Sequence, residues 1–143
     1  MIGLATPRTA LKLELELGSG RHAASARLEL LDWMESPAHR VARVTLRGWI
    51  GGAARRRLER AFFNLAARDV DHVVLDCREV QHLAGRVAGR LIDAALTLET
   101  RTGGVEVCGL PGRLSRRLAT SRVRCWPAAA PIPAPSPTLE YAS

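Results

Sequence analysis

Strict alternation of apolar and polar residues near the start of the chain predicts a β-strand over residues 10–17. Leucine fills every second position of this segment, so one face of the strand is apolar and the other carries a lysine and two glutamates. A second strand is predicted from about Ala26 to Met34, and a third over Val41 to Leu46, with the even-numbered residues of the third facing inward. Short strands joined by turns therefore begin the fold.

From Gly52 the apolar positions recur with the period of a helix. The residues that share this apolar face are Leu58, Ala61, Phe62 and Leu65. A near-continuous apolar run from Val70 to Leu75 follows, which is typical of a central strand buried on both faces.

A second helix is predicted from about Gly85 to Thr100, and the glycines at 103 and 104 end it, as glycine often does after a last helical turn. Its inward residues are expected to be Val87, Leu91, Ala94, Ala95 and Leu98. The segment from Val105 to Cys108 indicates a further strand, and Leu114 with Leu118 marks a short third helix.

Strands that alternate with helices indicate an α/β fold with parallel strand pairs. We expect a single domain over residues 26–126, with a mixed β-sheet of about four to five strands packed by helices. Residues 1–25 are interpreted as an N-terminal extension that contains a candidate edge strand. Residues 127–143 are rich in proline and alanine and are expected to form a disordered tail, because proline lacks the amide donor that helices and central strands need.

The chain is basic, with a formal net charge of +7 and a pI of about 10.8. Lys12 is the only lysine, and this arginine skew is typical of coding in a GC-rich genome. Three interpretations stay open: genome bias with a mildly basic surface, a nucleic-acid patch, and an acidic protein partner. Aromatic residues make up 4% of the sequence, which is few for stacking on single strands, so nucleic-acid binding is kept only as an alternative.

Candidate chemistry is sparse in this sequence. The three cysteines form no CxxC pair, which favours inert, buried thiols over a disulfide framework. The four histidines lack the spacing of metal ligands, and the turn from Gly109 to Gly112 lacks the lysine and hydroxyl of a phosphate-binding loop. Asp76, at the end of the predicted central strand, is expected to order the loop that follows. We therefore predict no enzyme activity, no metal and no cofactor.

The third strand carries the first of several motifs with a family resemblance. It continues from Val41 to Ile50, and Leu46, Gly48 and Ile50 match a strand that ends in Leu-x-Gly-x-Leu, although Gly51 stands where an Asp would follow.

Further motifs follow later in the chain. Val73 to Asp76 spells Val-Val-Leu-Asp, Leu91 is placed as a core leucine, and Gly103 to Leu110 forms a glycine turn with a final core strand. Together, over roughly residues 26–121, these motifs resemble the STAS domain, the family of sulfate transporters and anti-sigma-factor antagonists.

The resemblance implies that the loop after the central strand would hold the family's phosphorylation switch, an Asp followed by Ser or Thr. Ala84 and Gly85 occupy those positions here, and neither has a hydroxyl group, so this site cannot be phosphorylated. Val87 stands near an expected glycine. Ala84 is also a poor N-cap, because its side chain accepts no hydrogen bond. An alternative is that the helix begins elsewhere, for example at Gln81.

The same resemblance implies a partner-docking surface at the start of this helix. Small residues there would let another backbone come close, and Arg86 and Arg90 share a helix face that suits an acidic partner. Trp49, after the bend at Gly48, is a candidate interface anchor. The expected partner-binding residues are Trp49, Ala84, Gly85, Arg86, Val87, Gly89 and Arg90.

We therefore predict a non-enzymatic protein-interaction module of a bacterial partner-switching system, similar to an anti-sigma-factor antagonist in transcription regulation but without the phospho-acceptor. Its partner would be an anti-sigma factor or a kinase-like protein. One alternative is a small cytosolic STAS-like subunit that docks on the ATPase of an ABC-type lipid or solute transporter. A second is a basic nucleic-acid-binding protein. A homodimer is left open, and without a signal peptide or a membrane span in the sequence a cytoplasmic location is expected.

Overall fold

Six strands of the described residues form one sheet, and their order across the sheet is their order along the chain. The computed structural model describes residues 7–34, 39–65, 68–96, 104–110 and 123–126. The strands are β1 (Arg8–Gly18), β2 (Ala24–Trp33), β3 (His39–Ile50), β4 (His72–Leu83), β5 (Gly104–Cys108) and β6 (Val123–Trp126). The helices within these ranges are α1 (Gly52–Leu65) and α2 (Gly85–Leu96), and a 3₁₀ turn, Gly20–His22, joins β1 to β2.

The sheet is mixed, with an antiparallel half and a parallel half. β1, β2 and β3 pair antiparallel, whereas β3, β4, β5 and β6 pair parallel. α1 connects β3 to β4 and α2 connects β4 to β5. Such crossovers are right-handed, so two in succession in one direction place both helices on the same face of the sheet, where α1 and α2 contact each other. The predicted α/β class is therefore confirmed.

The core lies between the two helices and the sheet face that they cover. α1 buries the four residues predicted from the helical period together with Ala54. The even-numbered residues predicted to face inward from β3, which are Ala42, Val44 and Leu46, are each at most 1% exposed. Removing this apolar surface from water contributes about 25 cal/mol per Å² and is the main force that holds the helices on the sheet.

Ion pairs between neighbouring strands cover much of the opposite sheet face. Arg27 pairs with Glu14 at 3.2 Å, and Arg43 with Glu29 at 3.3 Å, each across an antiparallel strand pair. Deeper in the sheet, His72 Nε2 lies 3.3 Å from Glu106 Oε2, and both side chains are buried. Polar residues thus take the positions that alternate with the core residues.

β1 is an edge strand, as the alternation of residues 10–17 predicted. It pairs with β2 along its length, so it belongs to the same sheet as the rest of the fold. Leu17 is buried, but Leu13 is 44% exposed, because α1 covers only part of the leucine face of this strand.

Several details differ from the sequence-based expectation. The sheet has six strands where four to five were expected, because Val123–Trp126 pairs with β5. β4 does not end at Asp76; it continues to Leu83 beside the second half of β3, beyond the end of β5. Val80 and Leu83 pack against the core in this extension, but the exposed polar residues around them interrupt the apolar pattern in the sequence. On α2, Leu91 is buried as expected, and Ala88 and Ile92 are buried with it.

Some expected elements fall outside the described residues. These are the third helix around Leu114 and Leu118, the end of the second helix with Leu98, and the tail at 127–143. Among the described residues, no helix is long and apolar enough to cross a membrane.

Candidate protein-binding site at the carboxyl end of the parallel strands

The carboxyl ends of β3 and β4 lie side by side at one edge of the sheet. Trp49 is paired with His82, and Ile50 with Leu83, in the parallel register. α2 begins two residues after β4 ends, so the start of this helix lies at the same edge. In α/β sheets, ligands and partners bind at this edge because the connecting loops there can vary without disturbing the core.

Three aromatic rings form a stack at this edge. The indole of Trp49 lies between two imidazoles, with the His82 ring centroid at 3.9 Å and the His22 ring centroid at 4.4 Å. The ring planes are within 20° of parallel on both sides. His22 and His82 are exposed and Trp49 is half-buried, so the stack is an aromatic surface that solvent and a partner can reach.

The close approach of the β1–β2 connection to β3 builds this stack. Gly48 has a φ of +86°, and a β-carbon at this position would overlap the carbonyl oxygen of Ala23. The next amide, that of Trp49, donates a hydrogen bond of 3.0 Å to the same oxygen. Because glycine alone fits this contact, the turn that carries His22 can lie directly beside Trp49.

Ala84 stands at the N-cap of α2, as predicted. The amide of Ala88 donates to the carbonyl oxygen of Ala84 at 2.9 Å, which is the first hydrogen bond of the helix. The alternative start at Gln81 is wrong, because that residue lies within β4. The first turn of α2 holds no acidic residue, and the methyl group of Ala84 cannot cap its amides.

Arg86 and Arg90 are exposed on α2, one helical turn apart. Among the described residues, neither makes an ion pair or a side-chain hydrogen bond. By contrast, carboxylates neutralise six other arginines, which are Arg27, Arg40, Arg43, Arg47, Arg55 and Arg78. The positive charge of the described surface is therefore less compensated on α2 than on the sheet.

The remaining expected site residues fall into two groups. Val87 is half-buried and packs against the hydrophobic core, so it holds the helix rather than offering a contact surface. Gly89 is half-buried, but a β-carbon there would meet nothing within 4 Å, and Gly85 is half-buried beside the exposed Ala84. The structure thus leaves open space over Gly89, which is compatible with the docking hypothesis.

Asp76 and Cys108 form a separate buried cluster within the sheet. The carboxylate of Asp76 accepts hydrogen bonds from the amide and the guanidinium of Arg78, at 3.0–3.1 Å, and from the thiol of Cys108 at 3.8 Å. Burial acts to raise the pKa of Asp76, but these hydrogen bonds and the charge of Arg78 together lower it below its ordinary value. Asp76 therefore orders the middle of β4, not a loop after the strand as the sequence suggested.

The thiol of Cys108 is also held by this cluster. Burial, followed by the negative charge of Asp76, raises the pKa of Cys108 to about 11. Cys77 is buried as well, and neither cysteine forms a disulfide. A thiol with a raised pKa is a poor nucleophile, which fits the inert interpretation made from the sequence.

His22 and His82 are the members of this site that sequence reasoning missed. Both were judged only by metal-ligand spacing, and no group of metal-ligating side chains occurs in the described part of the chain. His82 becomes a neighbour of Trp49 only through the parallel register of β3 and β4, which the sequence does not fix. Nothing in the sequence indicates that His22, in a turn before β2, reaches the indole.

The comparisons with known proteins add no assignment: no family model and no curated protein matches this chain.

Proposed function

We propose that this chain is a non-enzymatic protein-binding module that receives an acidic partner surface at the carboxyl end of β3 and β4. The contact surface consists of the aromatic stack at Trp49, the loop residue Ala84 and the arginines of α2. This function deepens the STAS-like hypothesis, in which the same loop and helix start dock a regulatory kinase or an anti-sigma factor.

The proposal rests on two features at the same end of the sheet: the exposed arginines of α2, which have no ion-pair partner among the described residues, and the aromatic stack at Trp49. Tryptophan and arginine are enriched among the residues that dominate binding energy at protein interfaces. The stack holds Trp49 on both faces, so little side-chain entropy is lost when a partner covers it. Acidic side chains on the partner would gain from Arg86 and Arg90 without displacing an existing ion pair of the described residues.

The docking loop offers no hydroxyl group for a phosphate switch. Ala84 and Gly85 replace the acidic residue and the phospho-acceptor of the STAS pattern. In that pattern, phosphorylation adds about two negative charges at this place and ends binding to the partner. Binding at this site would therefore be constitutive and would be regulated by the amount of either protein.

The test is affinity capture from lysate of the source cells, followed by binding measurements with the purified captured partner. The double variant Arg86→Glu/Arg90→Glu reverses two charges on α2. The matched control is Arg56→Glu/Arg60→Glu, which makes the same change with the same spacing on exposed positions of α1. We expect the α2 variant to bind about tenfold or more weakly, because like charges face each other, and the α1 variant to bind as the wild type does.

The identity of the partner decides between the functions. A kinase-like or sigma-regulating protein that the α2 variant loses supports the partner-switching interpretation. A membrane ATPase would favour the transporter-subunit alternative. Recovery that nuclease treatment abolishes would show that the arginines bind nucleic acid, and equal binding by both double variants would refute the α2 surface.

A further inference from the structure

β1 is the outer strand of the antiparallel half of the sheet, and within the described residues no strand lies beyond it. The register with β2 shifts between Thr9 and Leu11 and again between Glu16 and Gly18, so the regular segment runs from Leu11 to Glu16. An edge of this length presents unpaired amide and carbonyl groups, which makes it a template for another strand.

The charges on the open face of the sheet alternate in sign from strand to strand. Lys12 on β1 lies opposite Glu29 on β2, which lies opposite Arg43 on β3. In the next row, Glu14 on β1 lies opposite Arg27 on β2. At the edge strand, the first row therefore ends in the positive Lys12 and the second in the negative Glu14. These two residues are two positions apart on the same face of β1.

We propose that β1 pairs with β1 of a second copy of this chain, antiparallel and about a two-fold axis at Leu13. In this register Lys12 of each copy lies opposite Glu14 of the other. The alternation of sign then continues without interruption across the interface, and the dimer is one continuous sheet with six strands from each copy. Such a contact is isologous, so each favourable pair occurs twice.

The neighbouring registers are disfavoured by charge. If the axis moves by one residue, it places either Lys12 against Lys12 or Glu14 against Glu14. If the axis lies between two residues, leucines face charged side chains, because the side chains of a strand alternate with a period of two. The register centred on Leu13 is the one near the middle of the regular segment that avoids both costs.

The leucine face of β1 supports the same arrangement. Leu11, Leu13 and Leu15 line a groove of about 680 Å³ between β1 and α1, and Leu13 is 44% exposed. In the proposed register Leu13 lies opposite Leu13, and Leu11 opposite Leu15, so each copy covers apolar surface that the other leaves in water. Charge complementarity on one face and apolar contact on the other thus select the same occupant, a second copy of this chain.

The test uses two charge variants of the full chain, Lys12→Glu and Glu14→Lys, in sedimentation-velocity experiments over a dilution series. In the first variant a glutamate at 12 would face Glu14 of the partner, and in the second Lys12 would face a lysine at 14. We expect each variant alone to dimerise about tenfold or more weakly than the wild type, because two attractive pairs become repulsive.

An equimolar mixture of the two variants supplies the decisive control. In the mixed dimer every charge pair across the interface is again of opposite sign. The mixture should therefore dimerise over the same concentration range as the wild-type chain. Thermal unfolding of each variant checks that its fold is intact. This check is needed because Lys12→Glu places a glutamate opposite Glu29 of β2, and Glu14→Lys places a lysine opposite Arg27. The Arg86→Glu/Arg90→Glu variant should dimerise normally, because this inference does not depend on the binding site at α2.

Three results would overturn the proposal. They are a wild-type chain that is monomeric at every concentration, a dimer that both variants leave unchanged, and a mixture that remains monomeric although each variant is folded.

Discussion

The carbonyl oxygen of Ala23 lies against Gly48 and accepts the amide hydrogen of Trp49 at 3.0 Å. This contact joins the turn between β1 and β2 to the end of β3. It holds the turn that carries His22 close to the indole of Trp49. The aromatic surface of the candidate site therefore depends on Gly48, because a side chain at that position would push the turn away.

Gly48→Ala is expected to lower the free energy of unfolding by about 2–4 kcal/mol, because a β-carbon would combine an unfavourable positive φ with overlap of the Ala23 carbonyl. Urea unfolding measures the change. Gly89→Ala is the matched control, since it has open space within a helix and should raise stability by up to about 1 kcal/mol. A Gly48→Ala protein as stable as the wild type would show that the turn can move away at little cost.

Trp49→Ala is expected to lower stability by about 2 kcal/mol, because a half-buried indole loses its contacts with two rings. It should also weaken binding of an identified partner by about tenfold or more. Trp33→Ala is the control, because Trp33 is half-buried and stacks on His39 near the start of β3, away from the proposed site. Stability should fall in both variants, measured by urea unfolding, but affinity, measured by calorimetry, should fall only for Trp49.

Asp76→Asn is expected to lower the free energy of unfolding by about 1–3 kcal/mol at pH 7, because the carboxylate no longer accepts the hydrogen bonds of Arg78. The folded pKa of Asp76 is lowered, so its stabilising contribution is present above the unfolded pKa near 3.8 and is lost as the pH falls through the folded pKa. The difference between wild type and variant should therefore shrink below about pH 4.

Urea unfolding at a series of pH values measures that difference. Asp93→Asn is the control, because Asp93 is exposed on α2 and its substitution should change stability by less than about 0.5 kcal/mol. A constant gap between wild type and Asp76→Asn from pH 7 to pH 2 would contradict the assignment.

Cys108 is expected to resist thiol reagents in the folded protein at pH 8, because burial and Asp76 raise the pKa of its thiol to about 11. The variant Cys77→Ser/Cys125→Ser leaves Cys108 as the single thiol. Its rate of reaction with an aromatic disulfide should be about a hundredfold lower in buffer than in denaturing urea. Equal rates in the two solutions would mean that this part of the sheet opens readily.

Only part of the candidate site could be predicted from the sequence. Ala84, Gly85 and the arginines of α2 could be placed because a helix start is a local feature, and the structure begins α2 where it was expected. The aromatic partners of Trp49 could not be placed, because His22 lies 27 positions earlier in the chain and reaches the indole only through the pairing of β2 with β3. Local sequence patterns carry no information on a contact between residues so far apart in the chain.

The sequence by itself determined the local periods of this protein. The alternation in β3 and the helical spacing in α1 identify their buried faces correctly, because burial of apolar side chains selects one face whichever element covers it. Only the tertiary structure decided where β4 ends, that Val123–Trp126 adds a sixth strand, and that Asp76 binds Arg78 and Cys108 inside the sheet. These features depend on strand register and on contacts between distant residues, which are settled only when the whole sheet assembles.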